Sequence, residues 1–110
     1  MPGTYRVGLS RNAKADIRAI RTYMIDHATR EVADTFLRRL LQSIEKLENF
    51  PDRGSIPEEV RVLGIPEIRQ ISNRPYRIIY QVAKQSVNIL MVVDGRRDLE
   101  PLLRRRLLNR

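Results

Sequence analysis

The sequence has 110 residues, 42% of them hydrophobic, with no cysteine and a formal net charge of +8. This length predicts one domain over residues 1–110, and the lack of cysteine excludes disulfides, thiolate nucleophiles and cysteine-ligated metals. Because the sequence contains no run of about 18 apolar residues and no signal-peptide core, we expect a cytoplasmic protein that does not enter a membrane.

The positive charge is carried mainly by arginine, which accounts for 18 of the 21 basic residues. Arginine is suited to bidentate contacts with phosphate and carboxylate groups. The excess therefore indicates a polyanionic partner, either nucleic acid or an acidic protein segment. An arginine-rich composition that only solvates the surface is the alternative reading of the charge.

The first half of the chain is predicted to form a strand and two helices. Alternation in TYRVGL predicts a short strand, and Ser10 and Thr29 fit the N-caps of two amphipathic helices, the second ending before Pro51. The short link between the helices predicts an antiparallel helical hairpin. The predicted apolar stripes are Ala13, Ile17, Ile20, Met24 and His27 in the first helix and Ala33, Phe36, Leu37, Leu40, Leu41, Ile44 and Leu47 in the second.

The second half is predicted to be a loop, three strands and a short helix. Proline and glycine mark residues 50–59 as loop, and period-two patterns predict strands at EIRQIS, YRIIYQV and SVNILMVV, the last two joined by a tight turn at Lys84 and Gln85. A final helix is predicted to begin near Asp98, with Pro101 in its first turn. This order predicts an α+β domain in which a mostly antiparallel sheet carries helices on one face.

The third predicted strand has two distinct faces. One face is apolar and is expected to pack on the helical hairpin, whereas Arg77 points from the other face. Too little chain remains to cover that second face, so we expect it to be open. The expected apolar face consists of Tyr76, Ile78, Tyr80 and Val82, and the next strand is expected to place Val87, Ile89, Met91 and Val93 together.

Conventional catalytic and metal-binding patterns are missing from the sequence. His27 is the only histidine and is predicted to be a partly buried structural residue. Glu58 and Glu59 are predicted to be solvated loop carboxylates, and no glycine-rich phosphate loop is present. The sequence therefore predicts no metal site and no cofactor.

Arginines from the consecutive β segments are the remaining candidates. A meander would bring them near one another, where they could bind a phosphodiester backbone or an acidic segment of a partner. In the alternative interpretation, Arg77 pairs with Glu67 or Asp98 and ties the sheet together. The candidate binding residues are Arg69, Arg77, Arg96 and Arg97.

The order of elements, together with LSRNAKADIRAIRTYM, FPDRG, PYRIIYQV and VVDGRRDLEPLL, resembles the RelE/ParE superfamily of type II toxin–antitoxin toxins over roughly residues 5–108. The resemblance implies the RelE-like fold, with an N-terminal strand, an antiparallel helical hairpin, a three-stranded antiparallel meander joining a small sheet, and a short C-terminal helix. It also implies a role in plasmid stabilisation and a hetero-oligomer with a cognate antitoxin.

Function divides within this superfamily, because RelE-like members cut messenger RNA in the ribosomal A site whereas ParE-like members poison DNA gyrase. Arg77 and Arg97 match two arginines of the nucleases. The nuclease lysine positions fall on Ile68 and Gln70, and the tyrosine position falls near Leu103. Since arginine is a poor proton shuttle, the resemblance favours gyrase inhibition. A ribosome-dependent endoribonuclease that uses Arg77 and Arg97 as catalytic residues is the alternative.

The same resemblance implies a docking site for the antitoxin. The apolar helix stripes predict a groove for an antitoxin helix, and an acidic antitoxin tail would complement the net charge and cover Arg77 and Arg97. The predicted antitoxin groove consists of Ile20, Met24, Phe36 and Leu40.

Overall fold

The computed structural model describes residues 4–64 and 67–108. Within these ranges, the strands are β1 Arg6–Leu9, β2 Ile68–Asn73, β3 Tyr76–Ala83 and β4 Ser86–Asp94. The helices there are α1 Arg11–His27, α2 Arg30–Glu45, α3 Glu58–Leu63 and α4 Leu99–Leu108, with a 3-10 turn at Lys46–Glu48. The predicted α+β architecture is confirmed.

The described strands form one sheet in the order β1-β4-β3-β2. The antiparallel meander β2-β3-β4 is as predicted, and its second turn is the expected one at Lys84, which adopts a φ of 33°. β1 joins the sheet parallel to β4, with Val7 opposite Val87. A parallel pair requires a long connection; here the chain crosses the sheet through the helical hairpin and then forms β2 and β3 before it reaches β4.

Both predicted N-caps start the two long helices. The Ser10 hydroxyl accepts a hydrogen bond from the Ala13 amide at 3.0 Å, and the Thr29 hydroxyl accepts one from the Val32 amide at 3.1 Å. Each cap satisfies an amide that has no partner within the helix. Ser10 therefore fixes the start of α1, and Thr29 fixes the residue at which the short link ends and α2 begins.

The first core lies between this hairpin and one face of the sheet. The apolar face predicted for β3 is confirmed, because Ile78 and Tyr80 are buried there and Tyr76 and Val82 pack at its margin. Leu41 departs from the predicted stripe and is 49% exposed. The buried residues of the first core are Ala13, Ile20, Leu40, Ile44, Leu47, Ile71, Ile78, Tyr80, Val87, Ile89 and Val92.

The expectation that the other face of the sheet is open is wrong. The short helix α3, which lies within and just beyond the predicted loop, and the C-terminal helix α4 cover that face. Their apolar residues form a second core with the sheet. Its buried residues are Val60, Ile68, Ile79, Leu90, Met91, Val93, Leu99, Leu102 and Leu103.

A β-bulge in β4 explains a second error in the predicted faces. Ile79 lies opposite Met91 but Tyr80 lies opposite Ile89, so Leu90 is an extra residue in β4. One inserted residue reverses the alternation beyond it. Met91 therefore belongs to the second core instead of sharing the face of Ile89, and Val93 follows it there.

An ion pair ties the C-terminal helix to the start of the chain. The Arg106 guanidinium donates to both carboxylate oxygens of Asp16, at 2.7 and 2.8 Å, and to the carbonyl of Leu90 at 3.2 Å. Asp16 also accepts from the Val92 amide at 2.9 Å. The two charged side chains are only 15–17% exposed, so this contact fixes α4 against α1 and β4.

The loop after α2 is held by the phenol of Tyr80. The hydroxyl donates to the Pro51 carbonyl at 2.8 Å and accepts from the Gly54 amide at 3.0 Å. Burial raises the pKa of the Tyr80 phenol, which therefore stays protonated as the donor. The loop can approach so closely only because residue 54 has no side chain: a Cβ there would lie 2.5 Å from the Gln70 carbonyl oxygen.

Candidate functional site

Arg77 is engaged by side chains of its own chain. Its two terminal nitrogens donate to the two carboxylate oxygens of Glu59, both at 3.2 Å, and its Nε donates to Gln70 Oε1 at 2.6 Å. The side chains of Arg77 and Glu59 are 16% and 27% exposed. Arg77 is therefore ion-paired, but the predicted partners Glu67 and Asp98 are wrong, and the pair with Glu59 ties α3 to the sheet.

Glu59 was expected to be a solvated loop residue, and this expectation is wrong. It lies in the first turn of α3, and α3 places its carboxylate over the second face of the sheet. The hydrogen bonds from Arg77 hold the pKa of Glu59 below its usual value of 4.5, against the opposing effect of partial burial. The charged form is thus favoured in the folded protein.

Glu59→Gln is expected to show the energetic effect of this pair through its pH dependence. A carboxyl group with a lowered folded pKa stabilises the fold above its unfolded pKa, and this contribution is lost as the pH falls through the folded pKa. We therefore expect the substitution to lower the free energy of unfolding by about 1 kcal/mol at pH 7. The deficit should shrink as the pH falls below 4.5.

Urea unfolding at pH 7, 5, 4 and 3 measures this difference. Glu58→Gln is the matched control, since Glu58 is the exposed neighbour on the same turn. A deficit for Glu59→Gln that is the same at every pH would contradict the assigned role of the carboxylate.

Arg69 does not join Arg77, because the two residues point to opposite faces of the sheet. Arg69 lies opposite Tyr80 on the face of the first core, whereas Arg77 lies opposite Ser72 on the other face. Arg69 donates to the Gly54 carbonyl at 2.8 Å and lies 3.9 Å from the Asp52 carboxylate. The expected single cluster of arginines is therefore not formed.

Arg96 and Arg97 lie in the exposed loop after β4. Arg96 is 90% exposed and makes two side-chain hydrogen bonds to Asp94, at 3.0 and 3.1 Å. These bonds lower the pKa of Asp94 to about 2. Arg97 is exposed, and its guanidinium has no hydrogen bond or ion pair to the residues that the structure describes. Of the four predicted arginines, Arg97 is therefore the one available to a partner.

The predicted antitoxin groove is not an open surface. Ile20 and Leu40 are 8% and 0% exposed, and Met24 and Phe36 pack beside them in the first core. The prediction is wrong for Ile20 and Leu40, because the apolar stripes of both helices pack against the sheet. Met24 and Phe36 remain partly exposed at the margin.

An aromatic surface that was not predicted from the sequence lies at the end of the helical hairpin. His27 is exposed and not partly buried as predicted, and its ring stacks on Tyr23 with centroids 4.1 Å apart. Phe36 and Tyr76 meet nearby, with centroids 5.2 Å apart. Burial, the Asp94 carboxylate and Tyr23, in that order, raise the pKa of Tyr76. The i, i+4 spacing of Tyr23 and His27 was a sequence signal for the first pair.

A groove of about 380 Å³ continues from this aromatic surface. It lies between the first turns of α2 and the turn that joins β2 to β3. Val32 and Phe36 supply its apolar part, and Arg39 and Arg74 supply positive charge against the single carboxylate of Glu31. We call the residues that line it the α2 groove; of the four rings of the aromatic surface, only Phe36 lines it.

A second and larger groove, of about 970 Å³, runs beside β1 at the other end of α2. The amides of Arg6 and Ser10 donate toward β4. Since alternate residues of a parallel strand bond to the same neighbour, the backbone of Val7 points away from β4 and into this groove. β1 is therefore an edge strand with hydrogen-bonding groups open to another chain.

The described residues contain neither a candidate metal centre nor a helix that could span a membrane. Residues 4–64 and 67–108 contain no group of three or more histidine, aspartate or glutamate side chains that could hold a metal ion. In the same ranges, no helix is long and apolar enough to cross a membrane. The described residues do present positive charge, exposed apolar side chains and an open strand edge, all of which can bind a partner.

Residues 7–99 match the family described as "ParE toxin of type II toxin-antitoxin system, parDE". The chain belongs to this ParE toxin family. The family assignment selects the ParE branch of the superfamily that the sequence motifs indicate.

Two individual proteins are similar to this chain. Toxin ParE3 of Caulobacter vibrioides is 27% identical over 94 residues, which cover 86% of this chain and 90% of that protein. A solved structure described as a chromosomal ParDE TA system from P. aeruginosa matches with a TM-score of 0.69 and 18% identity. The match covers 83% of this chain and 96% of that one. At 18% sequence identity, the match is evidence for the fold alone.

Proposed function

We propose that the protein acts in the cytoplasm as a ParE-type toxin that inhibits DNA gyrase and is neutralised in a complex with its antitoxin. The observation that carries the proposal is the match of residues 7–99 to the ParE toxin family. ParE-like members of the superfamily poison gyrase, as the sequence resemblance implies. The antitoxin is the expected partner of any toxin of this class.

The ion pair of Arg77 with Glu59 favours gyrase over the ribosome as the target. RNA cleavage needs charge stabilisation at the phosphate and groups that transfer protons. Arg77 already binds the carboxylate of Glu59 in a bidentate pair, so a phosphate would have to displace that carboxylate. The positions of the nuclease lysines carry Ile68, which is buried, and Gln70, which bonds Arg77.

Purified protein is expected to block the supercoiling of relaxed plasmid by gyrase, and messenger RNA in growth-arrested cells is expected to stay intact. Supercoiling gels and primer extension on induced cells measure the two effects. Gyrase that remains fully active at toxin concentrations that arrest growth would refute the proposal. Codon-phased cuts in messenger RNA would instead establish the nuclease alternative.

Arg97 is proposed as a contact with the target. Its exposed guanidinium has no partner among the described residues, so Arg97→Ala removes charge without removing a contact within the fold. We expect at least about tenfold weaker gyrase inhibition, the effect of losing one charged interface contact. Arg105→Ala is the control, because Arg105 is also exposed but lies on the C-terminal helix.

A further inference from the structure

We propose that a basic ridge on the helical hairpin binds the phosphate backbone of duplex DNA, independently of base sequence. The basic ridge consists of Arg11, Lys14 and Arg18 on α1 and Arg38 on α2. This inference goes beyond the proposed function, because it assigns a DNA contact to the toxin itself. It requires neither gyrase nor an antitoxin.

The spacing of the basic residues places their side chains on one side of α1. Arg11, Lys14 and Arg18 follow one another at intervals of three and four residues, which are neighbouring positions on a helix surface. All three are exposed, whereas the buried residues of α1 belong to the first core. Arg21 continues the row, which therefore extends over about 15 Å of helix.

Arg38 extends the ridge across the hairpin. The Arg21 guanidinium lies 3.9 Å from the carboxylate of Asp34 on α2, and this contact shows how the two antiparallel helices are aligned. Arg38 follows Asp34 by one turn of α2, and Arg18 precedes Arg21 by one turn of α1. The alignment therefore sets Arg38, which is also exposed, beside Arg18.

The charge of the ridge is not balanced by the part of the chain that the structure describes. The four ridge side chains make no hydrogen bond or ion pair to residues 4–64 and 67–108. Asp16 is the single carboxylate in the first three turns of α1, and Arg106 already binds both of its oxygens. An anion can therefore reach the ridge without displacing a carboxylate of the protein.

These charges are placed where they disfavour the helix that carries them. Arg11 is the first residue of α1, at the positive end of the helix dipole, and the first turn of α1 has no acidic residue. The first turns of α2 and α4 contain Glu31 and Glu100 instead. Lys14 and Arg18 add a repulsion between like charges four residues apart. A bound polyanion would relieve both unfavourable effects.

The surroundings of the ridge favour a phosphate backbone over a membrane or a protein. A membrane-surface helix needs large apolar side chains beside its basic face, but the apolar stripe of α1 packs in the first core. Protein interfaces are built around apolar or aromatic anchors. The exposed neutral residues from position 15 to 22 of α1 are instead the small residues Ala15, Ala19 and Thr22.

The form of the ridge favours a duplex over a single strand. Single strands are held largely by aromatic side chains on which the bases stack, and no ridge residue is aromatic. A straight row of about 15 Å corresponds to about four base pairs of a duplex, at about 3.4 Å of axis each. Contacts to phosphates carry no base information, so the binding is expected to be independent of sequence.

Lys14→Gln/Arg18→Gln tests the proposal, with Arg61→Gln/Arg105→Gln as the matched control. Both double variants remove two exposed positive charges from helices. Arg61 and Arg105 lie on α3 and α4, which cover the other face of the sheet. Glutamine is a good helix former, so both variants are expected to fold.

The measurement is the fluorescence anisotropy of a labelled duplex of mixed sequence, titrated with the toxin at salt from about 50 to 200 mM. Each phosphate contact adds about 0.9 to the steepness with which log K falls with log salt. Lys14→Gln/Arg18→Gln should bind at least about tenfold more weakly near 100 mM salt and reduce the steepness by about 2. The control should stay within about threefold of the wild type, because charges beyond about 10 Å are screened.

An added charge gives a readout that unfolding cannot imitate. Ala15→Lys adds a cation beside the ridge and should bind the duplex several-fold more tightly, with the salt dependence steeper by about 1. Val62→Lys adds the same charge at a position on α3 that is 73% exposed. It should leave both the affinity and the salt dependence close to those of the wild type.

Three outcomes would overturn the proposal. Equal weakening in the two double variants would show a diffuse attraction to the net charge of +8. Lack of duplex binding by the wild type at about 50 mM salt would show that the ridge is only a solvated surface. Tighter binding to a single strand of the same length, or to vesicles that contain phosphatidylserine, would assign the ridge to another ligand. Failure of the wild type to inhibit gyrase would refute the proposed target and leave the DNA result unaffected.

Discussion

Asp16→Asn is expected to lower the free energy of unfolding by about 2 kcal/mol, the usual contribution of hydrogen bonds to a charged group, because the Asp16–Arg106 ion pair is partly buried. The substitution keeps the shape of the side chain but removes the charge that Arg106 binds at 2.7 and 2.8 Å. Both side chains are 15–17% exposed, so water replaces little of the lost interaction. The remaining guanidinium would stay partly buried without its counter-charge.

Urea denaturation of the wild type, Asp16→Asn, Arg106→Met and the double variant measures the effect. The double variant should recover part of the loss, because removing both charges leaves neither unpaired. Arg104→Ala is the control, since Arg104 pairs with Glu100 on the exposed side of α4 at 60% and 42% exposure. That surface pair is expected to contribute at most about 0.5 kcal/mol. A loss in Asp16→Asn no larger than this control would contradict the role of the buried pair.

Gly54→Ala is expected to destabilise the protein by about 3 kcal/mol, at the upper end of the cost of overpacking a core. The new methyl group would lie 2.5 Å from the Gln70 carbonyl oxygen and 2.5 Å from the Tyr80 hydroxyl. Neither atom can yield cheaply, because one is backbone and the other holds the Pro51 carbonyl. Relief of the clash would break the hydrogen bonds that anchor the loop.

Gly8→Ala gives the contrasting result. No heavy atom lies within 4 Å of a Cβ at Gly8, and its φ is outside the left-handed region. Alanine there should be neutral or stabilising by about 0.5 kcal/mol, through the lower entropy of the unfolded chain. Thermal melts of the two variants measure the difference in stability. Equal melting temperatures would contradict the close packing of the Gln70 carbonyl and the Tyr80 hydroxyl against Gly54.

Sequence patterns within a single helix or strand predicted the elements that depend mainly on neighbouring residues of the chain. The helical hairpin follows from two apolar stripes and the caps Ser10 and Thr29, and the buried face of β3 follows from its alternation. The bulge at Leu90 was not predictable, because every residue from Ile89 to Val93 is apolar. The alternation of apolar and polar residues therefore cannot show which side chains face which side of the sheet. Only packing on both faces decides which residue is the extra one.

The candidate site was less predictable because its partners come from distant parts of the chain. The α3 helix has six residues, too few for a periodic signal, and it supplies the carboxylate that binds Arg77 from 18 positions away. Missing α3 therefore hid Glu59, the ion-pair partner of Arg77, and contributed, with the unforeseen position of α4, to the wrong expectation of an open second face. Phe36 of α2 and Tyr76 of β3 likewise meet only after the hairpin docks on the sheet.

The unequal lengths of β1 and β4 bear on how the protein avoids aggregation. β1 has four residues and β4 has nine, so the outer edge of β4 runs on past the end of β1. The Leu90 carbonyl and Val92 amide on that stretch bond to side chains of Ser10, Arg106 and Asp16. Side chains thus occupy an edge that could otherwise recruit strands from other copies.

The opposite edge of the sheet is also partly covered, because Ser55 pairs with Gln70 on β2. Strand addition from another chain is thereby directed to the short edge of β1. A concentrated solution of the free toxin should accordingly stay monodisperse, with little template for sheet-to-sheet growth. Loss of Asp16 would reopen the β4 edge, so that its consequence in the cell would be self-association as well as unfolding.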